Sequence, residues 1–307
     1  MTIQEKLQII QNLSGLTQTD LATKIGVSFV AFNNWWTGKS HPREKRAEKI
    51  DALYKEYTGQ KEIPENILVA KKELLTKRSR AFKNILGVLL KNPDIYDQFL
   101  LSLTYNSNKI EGSTLSEDET ADILFRNRSI PNKSIIEQLE VKNHQAALQY
   151  LFTHLKEGRK IHEQLILRLH GILMNGIRDD AGTYRNHGVR IVGSNVPTAN
   201  YLKVPVLMKS VIKSIGNRQK DVIKHTAEIH ARFEQIHPFS DGNGRVGRMI
   251  LTAMLLENHL APAVIKQEGK RLYYASLRRA QLKDDTTQLE DFVCDSITEG
   301  FDILERK

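Results

Sequence analysis

Apolar positions recur at helical spacing along almost the whole chain. Residues 2–58 divide into short helices. In LTQTDLATKIGVSFVAFNNWWTGKSHPR (16–43), Thr17 is placed to cap a helix whose Leu21, Ala22 and Ile25 share one face. Gly26 ends that helix, and Ser28 caps a second one that buries Val30, Phe32 or Trp35. Further on, Gly59, Pro64 and Pro93 surround a basic helical stretch that looks like a connector. From Tyr96 the pattern predicts long helices, at about 96–109, 117–126, 133–156, 162–177, 203–218, 220–235, 244–258 and 271–300. RNHGVRIVGSNVPTAN (185–200) departs from it. There β-branched residues alternate around Gly188 and Gly193, which predicts a short β-hairpin. The expected fold is all-α with one small hairpin, divided as a small helical unit (1–60), a basic linker or helix (61–95) and a large helical domain (96–307).

Length and composition narrow this picture. At 307 residues the chain suggests two units, and 40% hydrophobic with 26% charged residues fits a soluble protein with a real core. The opening MTIQEKLQIIQNLSGLTQTD lacks a basic-then-apolar run with a cleavage site, so no secretory leader is expected. Apolar runs such as MILTAMLL (249–256) are far short of the about 20 residues that span a bilayer, which argues against a membrane partner. Cys294 is the only cysteine, which excludes an internal disulfide framework and a cysteine-based zinc site and points to the cytoplasm. The formal net charge is +9, and residues 39–91 hold 14 Lys or Arg against 7 Asp or Glu. Such a surplus suits nucleic acid or another polyanion, although a solvated helical surface carries charge in the same way.

The chemistry concentrates in IHPFSDGNGRVGR (236–248). VIKHTAEIHARFEQI (222–236) is an amphipathic helix that Pro238 prevents from continuing, so His237 projects from the loop that follows. His230, two helical turns earlier, fits a buried structural histidine. Gly242 and Gly244 allow a tight turn that exposes backbone N–H groups at the start of a new helix, where its dipole converges on an anion. Arg245 and Arg248 are three apart on the first turn, and guanidinium forks suit phosphate oxygens. Asp241 is a hard oxygen ligand for magnesium already held by phosphates, and His237 is a base near neutral pH. Together these groups would bind a nucleotide diphosphate with magnesium and deprotonate an incoming hydroxyl.

The stretch resembles the signature of the Fic family, H-x-F-x-D/E-G-N-G-R-x-x-R, at His237, Phe239, Asp241, Gly242, Asn243, Gly244, Arg245 and Arg248. The resemblance covers about residues 100–295. It implies transfer of AMP from ATP to a hydroxyl of a target protein, with ATP and magnesium as the small partners. It further implies His237 as general base, Asp241 as magnesium ligand, and Asn243 with the glycine turn as the α/β-phosphate cradle. Arg245 and Arg248 would hold the outer phosphates, Val246 and Gly247 would complete the nucleotide-facing run, and Phe239 would anchor the loop. VRIVGSNVPTANYLKVP (189–205) looks like the family's flap, whose Val192, Gly193, Ser194 and Asn195 would meet the nucleotide while an extended target segment adds along the hairpin. RLYYASLRRAQ (271–281) is similar to the segment that closes on adenosine, with Tyr273, Tyr274 and Gln281, the last standing where the family often has asparagine.

SNKIEGSTLSEDET (107–120) adds a brake to this expectation. Ser107, Glu111 and Gly112 resemble the family's inhibitory motif S/T-x-x-x-E-G/N. Glu111 presented to Arg248 would occupy the guanidinium meant for the γ-phosphate and leave ATP misaligned for in-line attack. The N-terminal stretch resembles a repressor-type helix-turn-helix. Phe29 and Val30 stand where that family offers polar side chains to bases, which leaves Asn33 and Asn34 for readout. DNA and a docked protein thus both remain as partners of residues 1–60. The functional alternatives are a DNA-binding regulator with a nucleotide-sensing domain, and AMP removal by the same site with Glu111 orienting a water. Whether a second copy of the chain tunes the brake stays open.

Overall fold

The computed structural model describes residues 1–58, 62–191, 196–217 and 219–306. Local signals at the helix ends explain most of the element boundaries. Helices α1 (Ile3–Ser14), α2 (Gln18–Ile25), α3 (Phe29–Trp36) and α4 (Glu44–Tyr57) form the N-terminal part. Thr17 caps α2 in a capping box with Asp20, Gly26 ends α2 at φ 79°, and Ser28 caps α3. Leu7, Ile10, Leu21, Ile25, Phe32, Trp35, Ile50 and Leu53 meet in a small core of their own. Val30, expected inside with Phe32 or Trp35, is instead 69% exposed beside exposed Phe29. At helical spacing Phe32 and Trp35 fill the inner face, so Val30 falls on the other side.

Helix α5 (Glu65–Ser79) packs along α15 (Thr287–Leu304), and α6 (Ile85–Lys91) follows it. Leu68, Leu75, Ile85 and Leu89, from the stretch expected to connect two units, enter the large core. Helix α7 (Pro93–Glu111) starts three residues before its expected beginning because Pro93 sits in its first turn and Asn92 caps it. It is followed by α8 (Glu117–Arg126), α9 (Ile135–Lys156), α10 (Glu163–Leu173), α11 (Val204–Ile215), α12 (Val222–Ile236), α13 (Asn243–Glu257) and α14 (Lys270–Lys283). Helices α12 and α13 pack on each other, with α7, α9 and α10 against α13 and with α11, α14 and α15 against α12.

Three expectations need correction. The helix expected through 177 ends at Leu173, and Gly176 takes φ 69°. The single helix expected over 271–300 is two, broken where Asp284 takes φ 57° and Asp285 accepts from Thr287 N–H. No strand forms among the described residues, so the expected hairpin is not seen. The carbonyls of His187 and Ala199 accept instead from the Arg185 side chain. Residues 192–195 lie outside the described residues.

Candidate active site

The site is assembled where α12 ends and α13 begins. Helix α12 closes on His237, whose N–H still bonds Phe233 C=O while its backbone turns to φ 51°. A non-glycine residue in this left-handed region costs on the order of 1 kcal/mol or more, so surrounding bonds must hold it there. His237 Nδ1 lies 3.1 Å from Glu234 C=O. A carbonyl only accepts, so Nδ1 carries the proton and Nε2 keeps its lone pair. Burial holds the imidazole below its ordinary range, and so neutral near pH 7.

The loop beyond His237 is closed by Asn243. Its Oδ1 accepts from Phe239 N–H at 2.8 Å and its Nδ2 donates to Phe239 C=O at 2.9 Å. The Asn243 side chain is therefore a staple, and any phosphate cradle here consists of backbone. Phe239 is fully buried and stacks on His170 at 3.8 Å between ring centroids. His170 Nδ1 accepts from Gly182 N–H at 2.9 Å, so Nε2–H donates to Asp241 C=O at 3.2 Å. Burial brings this ring down to about 4, which keeps it neutral in that role. Gly242, at φ 74°, turns the chain into α13. The first intrahelical bond runs from Val246 N–H to Gly242 C=O, so the amides of Asn243, Gly244 and Arg245 are the open first turn. Asp241 has its side chain 55% exposed at the mouth of this turn, with Oδ1 accepting from Gly242 N–H.

The two arginines go different ways. Arg248 Nε donates to Ser107 Oγ at 2.8 Å, and its Nη2 donates to Ser107 C=O at 3.1 Å and to Glu111 Oε1 at 2.7 Å. A Cβ placed on Gly244 would collide with Glu111 Oε1, so this carboxylate sits directly over the open turn of α13. Helix α7 delivers it there because Gly112 ends the helix at φ 111°, a backbone conformation for which glycine is suited. Arg245, expected beside Arg248 on outer phosphates, is instead buried and donates to Glu140 Oε1 of α9 at 2.7 Å. A buried guanidinium needs a carboxylate partner, and Glu140 supplies it.

Gly247 lets α13 approach α12, since a Cβ there would strike Glu234 Oε1. Glu234 is buried, its Oε1 has no hydrogen-bond partner, and burial raises its carboxyl to about 8. Val246 is core. Tyr273 is also core, with its hydroxyl 2.7 Å from His230 Nε2, and His230 is the buried histidine expected. Tyr274 is 38% exposed and lies within electrostatic reach of Glu111 and Arg248. Gln281 Nε2 donates to Ala231 C=O at 3.2 Å. Val192, Gly193, Ser194 and Asn195 lie outside the described residues. Among the described residues no group of three or more His, Cys, Asp or Glu is placed to hold a metal by itself. Arg185, Glu140, His170 and Glu234 were missed from sequence, because each acts through backbone carbonyls or a distant partner.

Residues 160–255 match the model of the Fic/DOC family. The chain is 35% identical over 185 residues to "Protein adenylyltransferase fic-1" of Caenorhabditis briggsae, covering 59% of this chain and 36% of that protein. It is 28% identical over 211 residues to "Protein adenylyltransferase Fic" of Aedes aegypti, covering 65% of this chain and 40% of the relative. The chain thus spans well under half the length of these curated relatives. Among solved structures, Fic-1 (aa134–508) from C. elegans superposes with a TM-score of 0.68 at 23% identity, covering 96% of this chain and 86% of that one. A Fic-domain signalling protein from Bacteroides thetaiotaomicron superposes at 0.65 and 22% identity, covering 76% and 98%. At such identity these two structures show a shared fold.

Proposed function

We propose that this chain, which belongs to the Fic/DOC family through residues 160–255, is an autoinhibited protein adenylyltransferase. It transfers AMP from ATP to a hydroxyl side chain of another protein. The relatives named as protein adenylyltransferases support the reaction class. The observation that carries the reading is His237, its Nδ1 committed to Glu234 C=O and its Nε2 left as a base beside the open first turn of α13. The acceptor oxygen attacks the α-phosphorus, its proton passes to His237 Nε2, and the bond to pyrophosphate breaks.

The amides of Asn243, Gly244 and Arg245 receive the α- and β-phosphate oxygens, and Arg248 is the guanidinium available for the γ-phosphate. Arg245 supports the cradle from behind, through Glu140. Asp241 would hold magnesium. Its half-exposed carboxylate fits that task, with phosphate oxygens and water completing the shell, and the ion supplies neutralisation of phosphate charge. Tyr274 faces the nucleoside end, while buried Tyr273 supports it. Ser107, Glu111 and Gly112 form the brake, because Glu111 takes both Arg248 and the space over Gly244.

The N-terminal unit is read as a nucleic-acid contact in the reducing cytoplasm. Helices α2 and α3 meet at Gly26, and Lys39, Arg43 and Lys45 are exposed just beyond them. Incubating purified protein with labelled ATP and magnesium, wild type beside Glu111→Gly, tests the central reading. AMP-labelled protein in the second sample is expected. Release of AMP from pre-labelled protein, with no labelling in either sample, would instead make the enzyme a hydrolase.

A further inference from the structure

Arg185 is a heavily committed buried side chain near the site, and among the described residues no carboxylate meets it. Its Nε donates to His237 C=O at 2.7 Å, its Nη1 to His187 C=O at 2.7 Å, and its Nη2 to Ala199 C=O at 2.5 Å and Ile236 C=O at 3.3 Å. Its own N–H donates to Pro238 C=O at 3.0 Å. Five bonds from one residue therefore land on backbone at two places: the turn 236–238, and the residues His187 and Ala199. Thr198 Oγ1, donating to Val189 C=O at 2.7 Å, ties the chain beside those two residues together.

The physical problem this arrangement solves is His237. Its backbone is held at φ 51°, where a non-glycine residue is strained, and its carbonyl accepts from the Arg185 side chain. A guanidinium presents five donors in a fixed fork, so it can satisfy several carbonyls at set angles where an ammonium satisfies fewer. Burying an arginine with only carbonyls as partners is costly, and burial lowers its hold on the proton. Such a cost is consistent with the fork being used for its geometry.

Resting on the adenylyltransferase reading, we infer that Arg185 is a positioning residue that sets the backbone of His237 together with residues 187–189 and 198–199, so that the base and these two stretches of chain are placed as one unit. Three charged groups bear on the His237 imidazole, Glu111, Arg185 and Asp241, beside the hydrogen bond to the Glu234 backbone carbonyl. Of these Arg185 is the cation, so its removal acts on the imidazole as well as on the backbone.

The test uses the full chain carrying Glu111→Gly, with Arg185→Lys and Arg185→Gln added separately. For Arg185→Lys the expected result is a loss of at least tenfold in kcat for AMP transfer, with magnesium–ATP Kd within threefold. For Arg185→Gln the His237 imidazole resonance, assigned by comparison with His237→Ala, should titrate at higher pH than in the parent. Transfer by Arg185→Lys within twofold of the parent overturns the inference. So does an unmoved His237 titration, or a fall in kcat matched by an equal weakening of ATP binding. If the Glu111→Gly parent itself transfers no AMP, the adenylyltransferase reading fails, and the His237 titration alone then decides the role of Arg185.

Discussion

Arg248 of α13 and Glu111 of α7 stand 137 residues apart in sequence and meet at 2.7 Å between Nη2 and Oε1. Ser107, one helical turn before Glu111, takes two further donors of the same guanidinium. The pair thus fixes Arg248 on the α7 side of the site, with Glu111 over the first turn of α13. If this contact is the brake, Glu111→Gly should raise labelling by at least about tenfold, equivalent to 1.4 kcal/mol or more of barrier. It should also tighten ATP–magnesium binding. Adding Arg248→Ala should cancel the gain. Equal labelling by wild type and Glu111→Gly at saturating ATP, with folding confirmed by circular dichroism, would remove the brake.

His237→Ala in the Glu111→Gly background should lower transfer by about 10²–10⁴-fold, the usual range for a general base, and leave ATP binding near that of the parent. The same role fixes the pH dependence. Burial holds the imidazole below 6.5, so it is already neutral at pH 7 and the rate should be flat from there upward. The rate should fall only as pH drops through the depressed value. An acid limb centred above 6.5, or transfer within twofold after His237→Ala, would contradict the assignment.

These two predictions concern the part of the site that was legible in sequence. The run from His237 to Arg248 is contiguous, so the glycines, the base and the guanidiniums announce each other through spacing alone. Glu111 was also legible, because Ser107, Glu111 and Gly112 resemble a short inhibitory motif at fixed spacing. Arg185 and His170 were not, since their partners are backbone carbonyls and amides, which every residue has. Glu140 was hidden for another reason: nothing local shows that a carboxylate 105 positions earlier will neutralise Arg245. The caps at Thr17 and Ser28 were local and legible. The expected hairpin is not seen among the described residues, and alternation of β-branched residues says nothing of a buried arginine that bonds the carbonyls of His187 and Ala199.

Glu234 offers a test of burial that does not depend on catalysis. Its carboxyl, unpartnered at Oε1, is raised by burial from 4.5 to about 8, with Arg248 opposing the rise and Glu111 adding to it. Between those two values the native state keeps a proton that the unfolded chain releases. Native protein therefore binds more protons in that window, and its stability falls as pH rises through it. Glutamine keeps the shape of the neutral carboxyl and cannot ionise. The Tm of Glu234→Gln minus that of wild type should thus grow from pH 5 to pH 8.5 by at least about 3 °C, roughly 1 kcal/mol for a domain of this size. A difference that does not change with pH would show that Glu234 is ionised throughout.

The last prediction concerns the N-terminal unit, where the structure reshapes the argument from charge. Three cations of the basic stretch 39–91 are already paired with carboxylates. Lys71 pairs with Asp291 and Asp295, Lys72 with Asp221 and Glu290, and Arg78 with Asp302 and Glu305. Arg46 Nη1 donates to Ile25 C=O. Lys39, Arg43, Lys45 and Lys49, just after α3, are among the exposed cations of this stretch. If they meet phosphates, affinity for duplex DNA should fall steeply with salt, by about 0.9 in the log–log slope for each phosphate contacted. Replacing Lys39, Arg43 and Lys45 by glutamine should flatten that slope by two to three, measured by fluorescence anisotropy between low and physiological salt. Exposed Phe29 and Val30 offer bases only apolar contact, so binding should discriminate weakly between sequences, with Asn33→Ala and Asn34→Ala removing what preference exists. No binding at low salt, or an unchanged slope in the triple variant, would take DNA away from this unit. Its exposed Phe29–Val30 face would then be left for a protein partner.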